Sequence, residues 1–474
     1  METSYMDRIP LVKSVFMTGF IILMGGMSMS DLFELDKKHF IHPTSSIKQQ
    51  QEKGAKVIIE EGEGIYLKDT TGKWYIDAIS SLWNVNIGYG REELAEAAAK
   101  QMKQLAFSSA FSTFSHEPAI RLAAKIASLA PKGLNAVFFT SGGSESNDSA
   151  VKLIRHYWKI QSKPERRKII SLKRGYHGVA AASTSVTGIP EFWNMAGHMM
   201  NDFLHVDTHY ESTTDQAVHA LQQAIEETGP ETVAAFFAEP VQGAGGVLIP
   251  PKDYFQKVRA LCDQYGILFV ADEVITGFGR TGKMFAMENW GVIPDLMTFA
   301  KGVTSGYFPL GGVVVSDEIH DVLKEKSGTL FHGFTYSGHP TGAAVALKNI
   351  EIMEKEQLVE NARQMGDVFQ HRLQKIKEQL DIVGEVRFIG LLGAVELVED
   401  PATNKRFAAE QQVAPKVIEA LHEHGVICRG VTYENTDIIC IAPPLIINKQ
   451  QVNQLVQRLY DSIFMVQQQL GIKQ

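Results

Sequence analysis

Six short apolar runs recur along the middle of the chain, at residues 136–140, 168–172, 233–238, 267–271, 296–299 and 311–315, and each is continuous rather than alternating. Continuous runs of this length suit strands buried on both faces, and such strands belong to parallel sheets covered by helices. The segments between them, including 144–159, 216–227 and 253–265, carry apolar residues at helical spacing. This alternation predicts an α/β fold, a doubly wound, mostly parallel sheet occupying residues 86–348. After it, a charged helical stretch over 357–380 and short strands around 390–397 and 438–441 predict a smaller α+β domain over 349–474. Ahead of the sheet, residues 31–85 include a β-hairpin turned at Thr70-Thr71-Gly72-Lys73, expected to pack with the small domain.

A chain of 474 residues exceeds the size at which one core keeps growing, so its domains share an interior deep enough for a buried reactive site. The net charge of −8 provides no basic face and argues against nucleic acid or an anionic membrane as the main partner. A small-molecule substrate fits better. Cys262, Cys428 and Cys440 lie far apart, with no C-x-x-C spacing and no histidine at metal-ligand spacing. Neither a metal site nor a disulfide framework is expected, and three reduced thiols suit the cytoplasm. Residues 15–24 are apolar and follow Arg8 and Lys13, as in a signal-peptide core. The stretch is too short to span a bilayer, and no A-x-A cleavage site follows it. A start at Met27 or Met29 is a further reading, because Gly25-Gly26 can be encoded by a ribosome-binding sequence. Residues 1–30 are therefore expected to stand outside the fold.

In open α/β sheets ligands bind beyond the carboxyl ends of the strands, and the reactive residues of this chain collect there. Ser141-Gly142-Gly143-Ser144-Glu145 follows the first run, Glu239-Pro240 the third, Asp272-Glu273 the fourth and Lys301-Gly302 the fifth. A small-residue turn opening a helix exposes N–H groups that can cradle a phosphate; an ordinary turn capped by Ser141 or Ser144 is the other reading. Asp272 ends an apolar strand, where an ionised carboxylate calls for a cation. A protonated pyridine nitrogen would supply one, and so would an arginine. Lys301 also ends a buried strand. Desolvation there favours the neutral amine that forms a Schiff base, although its stem is long enough to reach solvent. Tyr176, in Tyr176-His177-Gly178, provides a ring for stacking on a flat heterocycle or for core packing. His177 reads as a satisfied polar residue.

Taken together and in order, these segments resemble the class III aminotransferases, the pyridoxal-phosphate (PLP) fold-type-I group that includes ω-amino acid and amine:pyruvate transaminases. The resemblance runs from His42 to Leu470. It includes Ser80-Ser81-Leu82-Trp83-Asn84, Glu239-Pro240-Val241-Gln242-Gly243, Asp272-Glu273-Val274-Ile275-Thr276-Gly277 and His332-Gly333-Phe334-Thr335-Tyr336. It implies that Lys301 carries PLP as a Schiff base and moves the substrate proton. It further implies that Asp272 pairs with the pyridinium, Val274 and Tyr176 flank the ring, and Gly143 and Ser144 hold the phosphate. Thr335 would reach the phosphate of a neighbouring subunit, which implies a homodimer with shared sites.

For the substrate, the resemblance makes Leu82 and Trp83 a pocket wall and Arg429 the group that grips a keto-acid carboxylate, a role suited to a bidentate guanidinium. A solvated loop arginine is the other reading of Arg429. Relatives of the ornithine and γ-aminobutyrate type carry a glutamate where this chain has Ala244, which disfavours those substrates. The family's Val-Arg-Gly-x-Gly is here Val386-Arg387-Phe388-Ile389-Gly390. The expected reaction passes an amino group from an ω-amino acid or primary amine to a keto acid, pyruvate foremost, by ping-pong kinetics. The alternatives are a biotin-pathway diaminopelargonate aminotransferase, an aminomutase of the same fold, and a protein that binds PLP without turnover.

Overall fold

The structure, a computed structural model, describes residues 29–195, 197 and 200–472. The leader expected over residues 1–30 lies outside them except for Met29 and Ser30, which open the helix Met29–His39. The described chain forms two compact units, one from residues 29–61 and 67–74, the other from 62–66 and 75–472. In the first unit the helices Met29–His39 and Ile47–Lys53 are tied by Gln50, whose amide donates to the Phe40 carbonyl at 2.8 Å. The expected turn is present as well: Asp69 Oδ1 accepts from the Thr71 and Lys73 N–H groups at 2.9 and 3.0 Å. A short aspartate that bonds its own following backbone is a strong local turn signal.

The second unit is built around a seven-stranded sheet of β1 (Leu134–Thr140), β2 (Lys168–Leu172), β3 (Phe203–Val206), β4 (Val233–Ala238), β5 (Leu268–Asp272), β6 (Leu296–Phe299) and β7 (Gly311–Ser316). Its order is β1-β7-β6-β5-β4-β2-β3. The strands β6, β5, β4, β2 and β3 pair in parallel, while β7 runs antiparallel to both β1 and β6. The continuous apolar runs follow from burial on both faces. Phe236 and Phe269 enter one core cluster, with the helix Tyr254–Tyr265, and their strand neighbours Phe237 and Val270 enter the other, with the helix Gly143–Ile160. Each such phenylalanine contributes about 2–3 kcal/mol by leaving water.

The apolar runs do not predict β3, a half-buried edge strand that pairs only with β2 and whose apolar sequence is broken by His205. Following the sheet, the helices Pro340–Lys355 and Leu358–Gln379 lead to an antiparallel sheet of β8 (Val383–Ile389), β9 (Leu392–Leu397), β10 (Arg429–Val431) and β11 (Asp437–Ile441). Its order is β8-β9-β11-β10. The short strand Val426–Ile427 pairs in parallel with Ile76 and Asp77, placing residues 75–86 beside this end of the chain.

Candidate active site

Strand register brings the reactive segments together. The parallel strands β4, β5 and β6 end side by side, so Glu239, Asp272 and Lys301 emerge at one sheet edge, joined by the loop after β2 and the turn after β1. Asp272 is almost fully buried. Its Oδ2 accepts from Asn147 Nδ2 at 2.7 Å and pairs with His177 Nδ1 at 2.8 Å, and its Oδ1 accepts from the Val274 N–H at 3.1 Å. Burial alone would raise its pKa, but the His177 contact, the Val274 N–H and Asn147 outweigh it and hold the carboxyl below its ordinary range. A buried, ionised carboxylate thus lies at the floor of the site. His177 Nε2 is buried without a partner among the described residues.

Lys301 lies at the end of β6 with φ 42°, a left-handed conformation that its neighbours must enforce. Burial lowers its pKa to about 8, against the opposing pull of Asp272 and Glu239 and with a smaller push from Arg429. Its amine stands 5.7 Å from the centre of the Trp83 ring. Glu239 accepts from the Tyr176 and Gly243 N–H groups at 2.8 and 2.9 Å, and burial pushes its carboxyl up to about 7.

At the turn after β1, Gly142 caps the helix Gly143–Ile160 without any side-chain bond, so neither Ser141 nor Ser144 serves as its cap. The Glu145 carboxylate instead accepts from the Ser141 N–H at 2.8 Å. The first N–H groups of this helix have no acceptor within it. A Cβ at 143 would stand 2.9 Å from Val274 Cγ1, so any larger residue would have to displace the Val274 side chain. Ser144 Oγ accepts from the Val179 N–H at 3.1 Å, and Gly178, at φ 121°, packs directly on Ser144. Tyr176 is half-buried, its ring 5.3 Å from that of Phe192.

On the opposite side, Trp83 is buried and Leu82 half-exposed. Trp83 carries φ 58° and follows Ser80 and Ser81 at 50° and 59°. Asp77 holds this loop, accepting from the Ile79 and Ser81 N–H groups at 3.0 and 2.6 Å and from the Tyr89 hydroxyl at 2.6 Å. The Arg429 guanidinium lies 4.9 Å from the Trp83 ring centre, so one indole faces both Lys301 and Arg429. Arg429 opens a β-hairpin and is registered against Cys440. Ala244 is buried. Arg387, in the divergent Val386–Gly390 segment, serves the fold: its guanidinium donates to the Gly246 and Val247 carbonyls and pairs with Glu385 and Glu396. Thr335 is exposed on the loop before the helix Pro340–Lys355. Sequence reasoning did not assign Asn147 or pair His177 with Asp272. The available signal was a set of polar residues, Ser146, Asn147 and Ser149, on the otherwise apolar buried face of an amphipathic helix.

These residues fit a phosphorylated pyridine aldehyde: an ionised carboxylate for a ring nitrogen, an amine of lowered pKa, and a glycine-tight helix N-terminus for a phosphate. The family profile described as Aminotransferase class-III matches residues 47–463. Over 433 residues the chain is 42% identical to the putrescine–pyruvate aminotransferase of Pseudomonas aeruginosa, covering 89% of this chain and 93% of that protein. Among solved structures, it is similar to a transaminase from the marine bacterium Virgibacillus, at 78% identity and a TM-score of 0.92 over 93% of this chain and 100% of that one. It is also similar to the ω-transaminase of Pseudomonas jessenii in complex with PMP, at 39% identity and a TM-score of 0.90 over 94% of this chain and 100% of that one.

Proposed function

The chain belongs to the class III aminotransferases, and from that premise we propose that it moves the amino group of a primary amine or ω-amino acid to pyruvate by a ping-pong cycle. Members of the family depend on PLP, which when bound supplies an electron sink for the carbon that loses its proton. Asp272, kept ionised by His177, Asn147 and the Val274 N–H, would pair with the ring nitrogen. Gly143 and Ser144 would hold the phosphate, and Val274 and Tyr176 would contact the ring. Lys301 Nζ would anchor the cofactor and, as a buried amine of lowered pKa, would take and return the proton of the substrate carbon.

The observation that carries the substrate reading is the indole of Trp83, with Lys301 5.7 Å and Arg429 4.9 Å from it. A guanidinium beside the reacting amine suits the carboxylate of a keto acid, and Leu82 and Trp83 provide an apolar wall for an amine that lacks one. The name of the Pseudomonas aeruginosa relative supports pyruvate as acceptor. Holoenzyme mixed with putrescine and no keto acid should lose its visible cofactor absorbance stoichiometrically, and pyruvate should restore it. Restoration by 2-oxoglutarate in preference to pyruvate would overturn the acceptor assignment.

A homodimer is part of the same proposal. Phe114 is 71% and Phe331 94% exposed, with Phe107, Phe111 and Tyr336 also exposed, and Thr335 belongs to the same loop. Such a concentration of exposed aromatic residues calls for a partner surface. Sedimentation should return about twice the 52.5 kDa chain mass. A cytoplasmic location accords with three unpaired cysteines.

A further inference from the structure

We propose that Arg174 is a positioning residue for keto-acid recognition, acting through the Tyr433–Asn435 turn to set where the Arg429 guanidinium stands. The proposal rests on the reading of Arg429 as the carboxylate-binding group. Arg174 follows β2 by two residues and is only 3% exposed. Its fork is fully used. Nε and Nη2 donate to the Gly245 carbonyl at 3.1 and 2.8 Å, Nη1 donates to Glu434 Oε2 at 2.9 Å and to the Tyr433 carbonyl at 3.4 Å, and Nη2 also reaches Thr436 Oγ1 at 3.3 Å. Five N–H donors meet five contacts, an arrangement that the three donors of a lysine cannot reproduce. The Tyr210 ring covers the guanidinium at 4.8 Å.

What Arg174 grips is a turn that needs holding. Glu434 and Asn435 have φ 54° and 59°, two successive left-handed residues, neither of them glycine. L-residues disfavour that conformation, and it persists only where surrounding contacts impose it. Besides Arg174, those contacts include Arg406 Nη1 to the Glu434 carbonyl at 3.0 Å, and Thr436 Oγ1 and N–H to the Tyr433 carbonyl at 2.7 and 3.1 Å. The turn closes the hairpin β10–β11, whose first residue is Arg429, and the Tyr433 side chain interacts with the Arg429 guanidinium.

Arg174 also packs against the segment containing Ala244. A Cβ at Gly245 would lie 2.3 Å from the Arg174 carbonyl oxygen, so the two backbones are in direct contact. Ala244 itself offers no polar group to Arg429. Apart from the Trp83 ring, the placement of Arg429 rests on its hairpin, and the hairpin turn is tied to the large sheet by Arg174.

A brace of this kind should affect acceptors that carry a carboxylate and spare those that do not. In Arg174→Lys the KM for pyruvate should rise roughly tenfold, and in Glu434→Gln roughly threefold, with the KM for a simple aldehyde acceptor unchanged within about twofold. The single-turnover rate with putrescine and no acceptor, and the visible absorbance of the holoenzyme, should also stay unchanged. Arg429→Ala is the reference. If it leaves the pyruvate KM unaltered, the carboxylate reading of Arg429 fails. If it raises that KM while Arg174→Lys and Glu434→Gln shift pyruvate and aldehyde alike, or shift neither, the brace is overturned and Arg174 is a core residue only. Should Arg174→Lys not fold, Glu434→Gln, whose carboxylate is largely exposed, decides in the same assays.

Discussion

The floor and the wall of the site are built by different means. On the floor, Asp272, Glu239 and Lys301 stand at the ends of adjacent strands, and their spacing is set by sheet register and by backbone donors such as the Val274 and Tyr176 N–H groups. On the wall, Trp83 and Arg429 sit on or beside turns with left-handed residues, at Ser80, Ser81 and Trp83 and at Glu434 and Asn435. Side chains outside these turns hold them: Asp77, just ahead of the first, and Arg280, from far along the chain and reaching Ser80 Oγ at 3.0 Å, with Arg174 for the second. Lys301, at φ 42°, is strained as well, but inside a packed edge. A lattice of backbone bonds tolerates little change, whereas a braced turn can be re-aimed by one substitution. On the proposed function, reaction type belongs to the floor and substrate choice to the wall.

The sharpest way to break this division is to remove the floor. Lys301→Ala should lower kcat by roughly 10⁴-fold or more, because anchoring and proton transfer disappear together. Full turnover in this variant would end the assignment. Asp272→Asn should follow at about 10³-fold, comparable with the loss of a buried electrostatic partner of a developing charge. Both are read by single-turnover decay of the cofactor absorbance with putrescine. In neither should the ratio of activities toward two amines change; a changed ratio would mean that the floor also selects substrate.

The same division explains what could be read from sequence. Strands buried on both faces announce themselves as unbroken apolar runs, and residues that follow them fall at one edge once the sheet is parallel, so Asp272, Glu239 and Lys301 were legible. Strand direction leaves no local trace, and the antiparallel β7 was hidden for that reason. The edge strand β3 lacks the double-sided burial that marks the others. Most obscure were the braces. Arg174 and Glu434 are 260 residues apart, and an arginine after a strand or a glutamate in a turn looks like any solvated charge until the fold joins them. Family resemblance pointed to Trp83 and Arg429, but the residues that hold them appear only in three dimensions.

Moving to the wall, Trp83→Ala should reduce kcat/KM for putrescine by about 10- to 100-fold, the scale of losing a packed apolar contact, and improve the relative rate with a bulky arylalkylamine. The cofactor absorbance should stay as in the parent, since the indole N–H makes no hydrogen bond to Asp272, Glu239 or Lys301 among the described residues. Indifference of the two amines to this change would show that the indole does not line the donor path.

The smallest effect tests whether floor and wall act on each other. With the Lys301 pKa near 8, the neutral amine that captures PLP increases with pH, roughly tenfold per unit below the midpoint and flat above it. Apoprotein mixed rapidly with PLP between pH 6.5 and 9.5 should show a capture rate that bends near 8; a rate still climbing at 9.5 would mean that Lys301 is not desolvated. Burial sets the position of that bend, Asp272 and Glu239 raise it, and Arg429 lowers it. Removing the floor anion in Asp272→Asn should therefore move the bend to lower pH, and removing the wall cation in Arg429→Ala should move it to higher pH. Opposite displacements would show that the two regions share one electrostatic field at the Lys301 amine. If Arg429→Ala leaves the bend in place while Asp272→Asn moves it, the wall acts on the substrate alone and the two regions are electrostatically separate.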